Sequence, residues 1–162
     1  MPSVLEVDVP TPPSSAGTTM KELGAMFKTI DTSGDGFLSF DEMVAAARKA
    51  CPDTVIDVKL GCIDPENRVA EFAAAGADAI SFHPEATKQP AAVAHRIRDA
   101  GVAPGIVLNP GTAVAAVEPL LGLVDLAVVM LVSPGHGGPK YTELAVDNCV
   151  EINQGVGCTN AP

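Results

Sequence analysis

The first fifty residues show the hydrophobic spacing of amphipathic helices. Leu23, Met26, Phe27 and Ile30 recur at the intervals that place apolar side chains on one face of a helix. A second stretch, residues 40–49, repeats this spacing after a polar segment that contains glycine and aspartate. The pattern therefore predicts two short helices that are joined by a polar loop.

After Pro52 the apolar residues occur instead in short continuous runs. Apolar runs without polar alternation are typical of parallel strands that are buried on both faces, and helical patterns separate these runs. The predicted strands span residues 54–60, 79–82, 105–108 and 126–132, and the predicted helices span residues 65–75, 89–100, 113–121 and 141–152. The strands recur every roughly 20–25 residues, the period of consecutive βα units, so an α/β fold is predicted.

The charge balance excludes several classes of partner. The chain of 162 residues carries 20 acidic and 10 basic residues, a formal net charge of −10. Binding to nucleic acid or to an anionic membrane surface needs clustered Lys and Arg, so neither is predicted. The N-terminus lacks the pattern of a secretory signal, and no apolar run is long enough to span a bilayer. We therefore expect a cytoplasmic protein.

The cysteine spacing gives no sign of a zinc site. Cys51, Cys62, Cys149 and Cys158 form no C-x-x-C pair and no zinc-finger pattern. Free thiols in a reducing compartment are the favoured interpretation, and disulfide pairing in a secreted protein is the alternative.

Residues 31–42 match the spacing of an EF-hand calcium loop, with glycine at the sharp turn and glutamate at the twelfth position. Ca²⁺ prefers hard oxygen ligands, which this loop supplies at alternating positions. The predicted ligands are the side chains of Asp31, Ser33 and Asp35, the carbonyl of Phe37, a water molecule held by Ser39, and both carboxylate oxygens of Glu42. A calcium-binding EF-hand is therefore predicted at 19–49, and an acidic surface turn is the alternative interpretation.

Several stretches of the βα region are similar to the ribulose-phosphate 3-epimerase family. They are Asp57-Val-Lys-Leu60 with Asp64-Pro-Glu-Asn-Arg68, residues 75–87, Gly105-Ile-Val-Leu-Asn-Pro-Gly-Thr112, and residues 128–140. The resemblance, over residues 55–141, implies a partial (β/α)8 TIM barrel of the ribulose-phosphate-binding type, with about four of the eight βα units. It also implies an isomerase that interconverts D-ribulose 5-phosphate and D-xylulose 5-phosphate by proton transfer through an enediolate.

The same resemblance implies the positions of a sugar-phosphate site. Met130 corresponds to a methionine that lines the enediolate pocket, and His83 and Glu85 follow the family's fourth strand near the pocket mouth. The segment of Gly135, His136, Gly137 and Gly138 corresponds to the loop whose backbone N–H groups approach the substrate phosphate. A sugar phosphate is therefore the expected ligand of the βα region.

Lys59 occupies the position of a metal-binding histidine in the family. Because a protonated amine is not a metal ligand, we do not expect the family's divalent transition-metal site to be retained. Asp57-x-Lys59 also resembles the D-x-K motif of decarboxylases in the same barrel superfamily, in which the lysine protonates a carbanion. Cys62 stands where that motif has a carboxylate, so the second resemblance is incomplete.

These patterns predict a flexible leader at 1–17, an EF-hand at 18–50, an epimerase-like segment at 54–154 and a tail at 155–162. The favoured hypothesis is a calcium-binding protein whose epimerase-like segment is inactive alone, because the strands that carry the family's acid and base have no counterpart. One alternative is an active epimerase that is completed by homodimerisation or by a partner. Another is a calcium-responsive interaction module that exposes Phe27, Phe40 and Met43.

Overall fold

The computed structural model describes residues 20–132 and 147–152. The chain divides into two compact units, Met1–Ser39 and Phe40–Pro162. This division falls within the segment predicted as an EF-hand, between its loop and its second helix. The predicted leader at 1–17 and the tail at 155–162 lie outside the described residues.

The first unit contains helix α1, Met20–Ile30, and the loop that follows it. The helix that was predicted from the spacing of the apolar residues is therefore confirmed. The amide of Asp31 donates a hydrogen bond to the carbonyl of Phe27 over 2.8 Å, so helical bonding continues to the first residue of the loop. Gly34 and Gly36 then adopt left-handed backbone conformations, with φ of 73° and 86°, which glycine adopts at little cost.

The second unit alternates helices and strands. Its helices are α2 (Phe40–Ala50), α3 (Val69–Ala75), α4 (Pro90–Asp99) and α5 (Glu118–Leu121), and its strands are β1 (Asp57–Leu60), β2 (Ala79–Phe82), β3 (Ala103–Leu108) and β4 (Leu126–Val129). Short 3-10 turns precede α3, α4 and α5, at Pro65–Asn67, Pro84–Ala86 and Val114–Ala116. Residues 147–152 are also helical.

The four strands form one parallel sheet in the order β1-β2-β3-β4. Sequential parallel strands joined through helices are the repeating unit of a (β/α)8 barrel, so the α/β prediction is confirmed and the sheet is consistent with part of such a barrel. Lys59 on β1 and Met130, directly after β4, lie at opposite edges, yet Lys59 Nζ is 3.1 Å from Met130 Sδ. On a flat sheet these strands would be about 14 Å apart. The sheet therefore curves, and we call this side its concave face.

The opposite side of the sheet, which we call the helix face, holds the hydrophobic core. Its strand residues pack with apolar side chains of α3 and α4. Four of these strand residues are fully buried: Ile80, Phe82, Ile106 and Leu108. Alternation along each strand places the intervening residues on the concave face. Among these is Gly105, where an added Cβ would lie 2.9 Å from Cβ of Ser81 and 3.4 Å from Cβ of Leu126.

The prediction that all four strands are buried on both faces is confirmed for the central strands and wrong for the outer two. Ser81 on β2 and Val107 on β3 are fully buried, although both lie on the concave face. On β1, Asp57 and Lys59 are exposed, and Leu126 on β4 is 36% exposed. The difference arises because no described strand pairs with the outer edge of β1 or β4.

Arg48 on α2 connects several segments of the second unit. Its Nε donates to the carbonyl of Gly76 over 3.0 Å, and its Nη1 donates to the carbonyls of Pro52 and Thr54 over 2.8 Å each. Its Nη2 forms an ion pair with Asp78. Gly76 ends α3 with φ of 99°, a left-handed conformation typical of glycine at the end of a helix, and a Cβ there would meet the Arg48 side chain at 3.0 Å.

The structure bears on the predicted thiols and on the predicted absence of a membrane-spanning segment. Cys51, Cys62 and Cys149 are free thiols, and Cys158 lies outside the described residues. None of the helices in the described part of the chain is both long and apolar enough to cross a membrane.

Candidate functional site at the carboxyl ends of the strands

The carboxyl ends of the four parallel strands meet at one edge of the sheet. Lys59 lies near the end of β1, His83 and Asn109 directly follow β2 and β3, and Met130 directly follows β4. The amide of Met130 donates to the carbonyl of Leu108 over 3.0 Å, so it continues the pairing of β3 with β4. In barrels of parallel strands, ligands bind at this end because loops from every strand converge there.

Lys59 reaches across the concave face. It lies opposite Ser81 of β2 in the sheet register, and its ammonium group contacts the Met130 sulfur at the far edge. The ion pairs within the described residues are Arg48–Asp78, Arg68–Glu71 and Arg98–Asp125. No carboxylate among these residues therefore neutralises the Lys59 ammonium.

His83 lies deeper in the site and is 8% exposed. Its buried Nδ1 has no hydrogen-bond partner among the described residues. Burial lowers the pKa of His83, and the positive charge of Lys59 lowers it further, whereas the carboxylate of Glu85 and a hydrogen bond to the backbone of Val107 raise it less strongly. The imidazole is therefore predominantly neutral at neutral pH.

Glu85 connects the segments that follow β2 and β3. Its Oε1 accepts hydrogen bonds from the hydroxyl of Thr112 and, over 3.3 Å, from Nδ2 of Asn109. Partial burial acts to raise the pKa of Glu85, but the hydrogen bonds that its carboxylate accepts from Thr112, from its own backbone amide and from Asn109 lower it overall. The carboxylate is therefore ionised and held in place.

The helical segment 147–152 supports this edge through Asn148. This residue is 2% exposed, and its Nδ2 donates to the carbonyl of Thr112 over 3.0 Å. The same Thr112 holds Glu85, so Asn148 acts on the site indirectly. A cleft of about 330 Å³ opens beside these residues, lined by Gly61, Cys62, Ile63, His83, Glu85, Ala86 and Asn109.

The residues predicted for the sugar-phosphate site fall into two groups. The fold brings Lys59 and Met130 into contact on the concave face, and it places His83 within the electrostatic influence of Lys59. The predicted phosphate loop, Gly135, His136, Gly137 and Gly138, lies outside the described residues.

The predicted calcium loop has a regular hydrogen-bond pattern of its own. The carboxylate of Asp31 accepts from the amide of Gly34 over 2.7 Å, the amide of Gly36 over 3.1 Å and the hydroxyl of Ser33 over 3.2 Å. Asp35 accepts from the amide of Phe37 over 2.8 Å. The loop is thus folded around the carboxylate of its first residue.

The remaining predicted calcium ligands differ in exposure. Ser39 is exposed, and Glu42, in the first turn of α2, is only 7% exposed. Within residues 20–132 and 147–152, no group of three or more His, Cys, Asp or Glu side chains is arranged to hold a metal ion.

Comparison with known proteins identifies the family. The model of the ribulose-phosphate 3 epimerase family matches residues 16–160, which is most of the chain. The chain belongs to the ribulose-phosphate 3-epimerase family. The match includes the segment predicted as an EF-hand, and the comparisons contain no independent evidence for an EF-hand there.

Individual epimerases match at moderate identity. The chain is 32% identical over 164 residues to the chloroplastic ribulose-5-phosphate-3-epimerase of Arabidopsis thaliana, which covers 91% of this chain and 58% of that protein. It is 30% identical over 159 residues to ribulose-phosphate 3-epimerase of Bacillus subtilis, covering 94% and 71%. It is 39% identical over 103 residues to the enzyme of the same name in Candida glabrata, covering 64% and 42%. The chain thus spans between 42% and 71% of the length of these epimerases.

The described residues do not fit the divalent transition metal that the epimerase resemblance implies. Lys59 places an ammonium group at the position that the resemblance assigns to a metal ligand, and that ammonium lies against the thioether of Met130. Glu85 is already held by Thr112 and Asn109. The donor set of the concave face is therefore suited to a different kind of ligand.

Three residues of this candidate site were not predicted from the sequence. Asn109 directly follows β3, and its position at a strand end is a signal that could have identified it. Thr112 and Asn148 have no such signal, because their contacts depend on how the segment after β3 packs against residues 147–152.

Proposed function

We propose that the protein binds a pentulose phosphate at the carboxyl ends of its strands. The names of its relatives contain a compound of this class, ribulose phosphate. The observation that carries this proposal is the convergence of Lys59, His83 and Met130 on one concave face. An ammonium group suits the negative charge of a phosphorylated sugar, and a neutral imidazole suits its hydroxyl or carbonyl groups.

We further propose that this site alone does not epimerise its ligand. Epimerisation removes a proton on one face of the substrate and returns a proton on the opposite face, which requires two acid–base groups on opposite sides. Among the described residues, His83 and Glu85 come from the same segment after β2 and are two positions apart. The low pKa of Glu85 also makes its carboxylate a weak base.

Calorimetric titration with D-ribulose 5-phosphate tests binding, and a coupled assay for D-xylulose 5-phosphate tests turnover. We expect heat of binding without turnover. Turnover whose specific rate rises with protein concentration would instead favour an active epimerase completed by homodimerisation. Turnover that is independent of protein concentration would contradict the proposed lack of activity, and the absence of binding would contradict the proposed ligand.

We also propose, as a second function, that the loop beginning at Asp31 binds Ca²⁺. The hydrogen bonds from Gly34 and Gly36 to the Asp31 carboxylate support this proposal, because they fold the loop around the oxygen atoms of its first predicted ligand. Ca²⁺ also takes serine and carbonyl oxygens as ligands, so its site does not require a cluster of acidic residues alone.

Calorimetry with Ca²⁺ tests this second function. Asp31→Ala should abolish calcium binding, because it removes the carboxylate around which the loop is folded. Asp53→Ala is the matched control, since it removes an exposed carboxylate outside the loop and should leave binding unchanged. Equal binding by both variants would contradict the loop assignment. A calcium-dependent increase in the fluorescence of an apolar dye would favour the interaction module.

A further inference from the structure

We infer that the concave face receives an anionic oxygen of its ligand at the ammonium group of Lys59, in place of the divalent cation expected in this family. His83 is the neutral hydrogen-bonding neighbour of that oxygen. The inference rests on the proposed binding of a pentulose phosphate, and it names the group that meets the ligand's negative charge.

The first support is the position of the ammonium group. Lys59 is exposed, so its flexible side chain could extend into water, yet Nζ lies 3.1 Å from Sδ of Met130 across the concave face. A thioether is a weak acceptor and carries no charge. Asp57 lies on the same face of β1 but forms no ion pair with Lys59 within the part of the chain that the structure describes. The positive charge is therefore available to a ligand.

The second support is the buried imidazole beside this charge. His83 is 8% exposed, and its Nδ1 has no hydrogen-bond partner among residues 20–132 and 147–152, so a polar group of a ligand would satisfy this buried atom. The lowered pKa of His83 keeps it neutral, which allows it to donate or accept one hydrogen bond without adding a second charge.

The positive charge of Lys59 also makes the concave face unfavourable for a divalent cation. The field of Lys59 that disfavours a proton on His83 would disfavour a divalent cation at the same place by the same Coulomb repulsion. The carboxylate that could offset it, Glu85, is occupied by Thr112 and Asn109. Charge and donor set thus agree that the site takes an anion.

Substitutions at Lys59 test the inference by calorimetry with D-ribulose 5-phosphate and, separately, with inorganic phosphate. Lys59→Met should weaken the affinity for D-ribulose 5-phosphate about ten- to a hundredfold, the usual range for losing one charged hydrogen bond. Lys59→Arg keeps the charge and should retain most of the affinity. Lys88→Met, the matched control, removes an exposed lysine elsewhere and should bind like the unmodified protein. EDTA should leave every affinity unchanged.

Loss of D-ribulose 5-phosphate binding in EDTA, or equal binding by Lys59→Met, would overturn the inference while leaving the proposed function intact. Binding of inorganic phosphate that depends on Lys59, with no binding of D-ribulose 5-phosphate, would support the inference and contradict the proposed function. If neither compound binds, both proposals are overturned. Binding of inorganic phosphate alone would also identify phosphate, rather than a sugar oxygen, as the group at Lys59.

Nuclear magnetic resonance titration of His83 gives a readout that does not depend on any ligand. Because Lys59 lowers the pKa of His83, Lys59→Met should raise that pKa in the free protein, whereas Lys59→Arg and Lys88→Met should not. Addition of a bound anion should also raise it. An unchanged pKa in Lys59→Met would show that the ammonium does not act on this site and would overturn the inference.

Discussion

The two faces of the sheet are built from the same strands and have opposite characters. On the helix face, Ile80, Phe82 and Ile106 are fully buried in a continuous apolar core. On the concave face, the neighbouring positions of these strands hold Ser81 and Gly105, and the outer strand β1 holds the Lys59 ammonium, which forms no ion pair within the described residues. Stability is therefore concentrated on one face, and the capacity to bind a polar ligand is concentrated on the other.

The largest expected effect comes from adjacent residues of β2 that point to opposite faces. Phe82→Ala should lower the free energy of unfolding by about 3–5 kcal/mol, because it leaves a cavity in the core. Ser81→Ala should lower it by no more than about 1 kcal/mol, since the Ser81 hydroxyl donates a long hydrogen bond of 3.5 Å to the carboxylate of Asp57. Urea-induced unfolding measures both values, and similar losses in the two variants would contradict the contrast between the faces.

An intermediate effect is expected where the concave face is most tightly packed. Gly105→Ala should lower the free energy of unfolding by about 1–3 kcal/mol, because the new Cβ would meet Cβ of Ser81 at 2.9 Å. Gly111→Ala is the control, because an added Cβ there would have nothing within 4 Å. Thermal unfolding of both variants checks the difference. A Gly105→Ala protein as stable as its control would show that the concave face can expand.

The smallest effect is a dependence of stability on pH through His83. In the unfolded chain a histidine has a pKa of about 6.5, and the folded state lowers it. Unfolding therefore takes up a proton, so the contribution of His83 to stability is present above about pH 6.5 and is lost as the pH falls through the lowered value.

Urea midpoints measured over this range for His83→Gln should fall less on acidification than those of the unmodified protein. The comparison isolates His83 from Glu85, whose carboxylate is retained in both proteins. Parallel pH profiles would show that the concave face does not favour the neutral imidazole.

The sequence predicted the order and type of the helices and strands better than their first and last residues. Strand β2 has the predicted bounds, because its apolar run is short and is buried on both sides. Strand β1 was predicted to begin at residue 54 but begins at Asp57, since apolar character continues beyond the paired region. The helix predicted at 65–75 is a 3-10 turn followed by Val69–Ala75, and left-handed Asp64 precedes it. Local patterns do not encode where pairing or helical bonding stops.

The candidate site was predictable only in part, for a similar reason. Lys59, His83 and Met130 were identified because they lie in stretches that resemble a family, and the fold brings Lys59 and Met130 together. The Lys59 ammonium is not neutralised because no acidic side chain on the other strands of the described fold pairs with it. A local sequence pattern does not show which residues of other strands will lie nearby. Asn148 was missed because its contact with Thr112 joins segments that are distant in sequence.

Arg48 has a consequence for motion within the second unit. One guanidinium group bonds to the carbonyls of Pro52, Thr54 and Gly76 and pairs with Asp78, which itself accepts from the amide of Ile56 over 2.8 Å. Helix α2 cannot separate from the entry of β1 without also releasing the turn that leads into β2. Local opening of these three segments is therefore one cooperative event, and fluctuations at the start of the sheet involve α2 as well as the strands themselves.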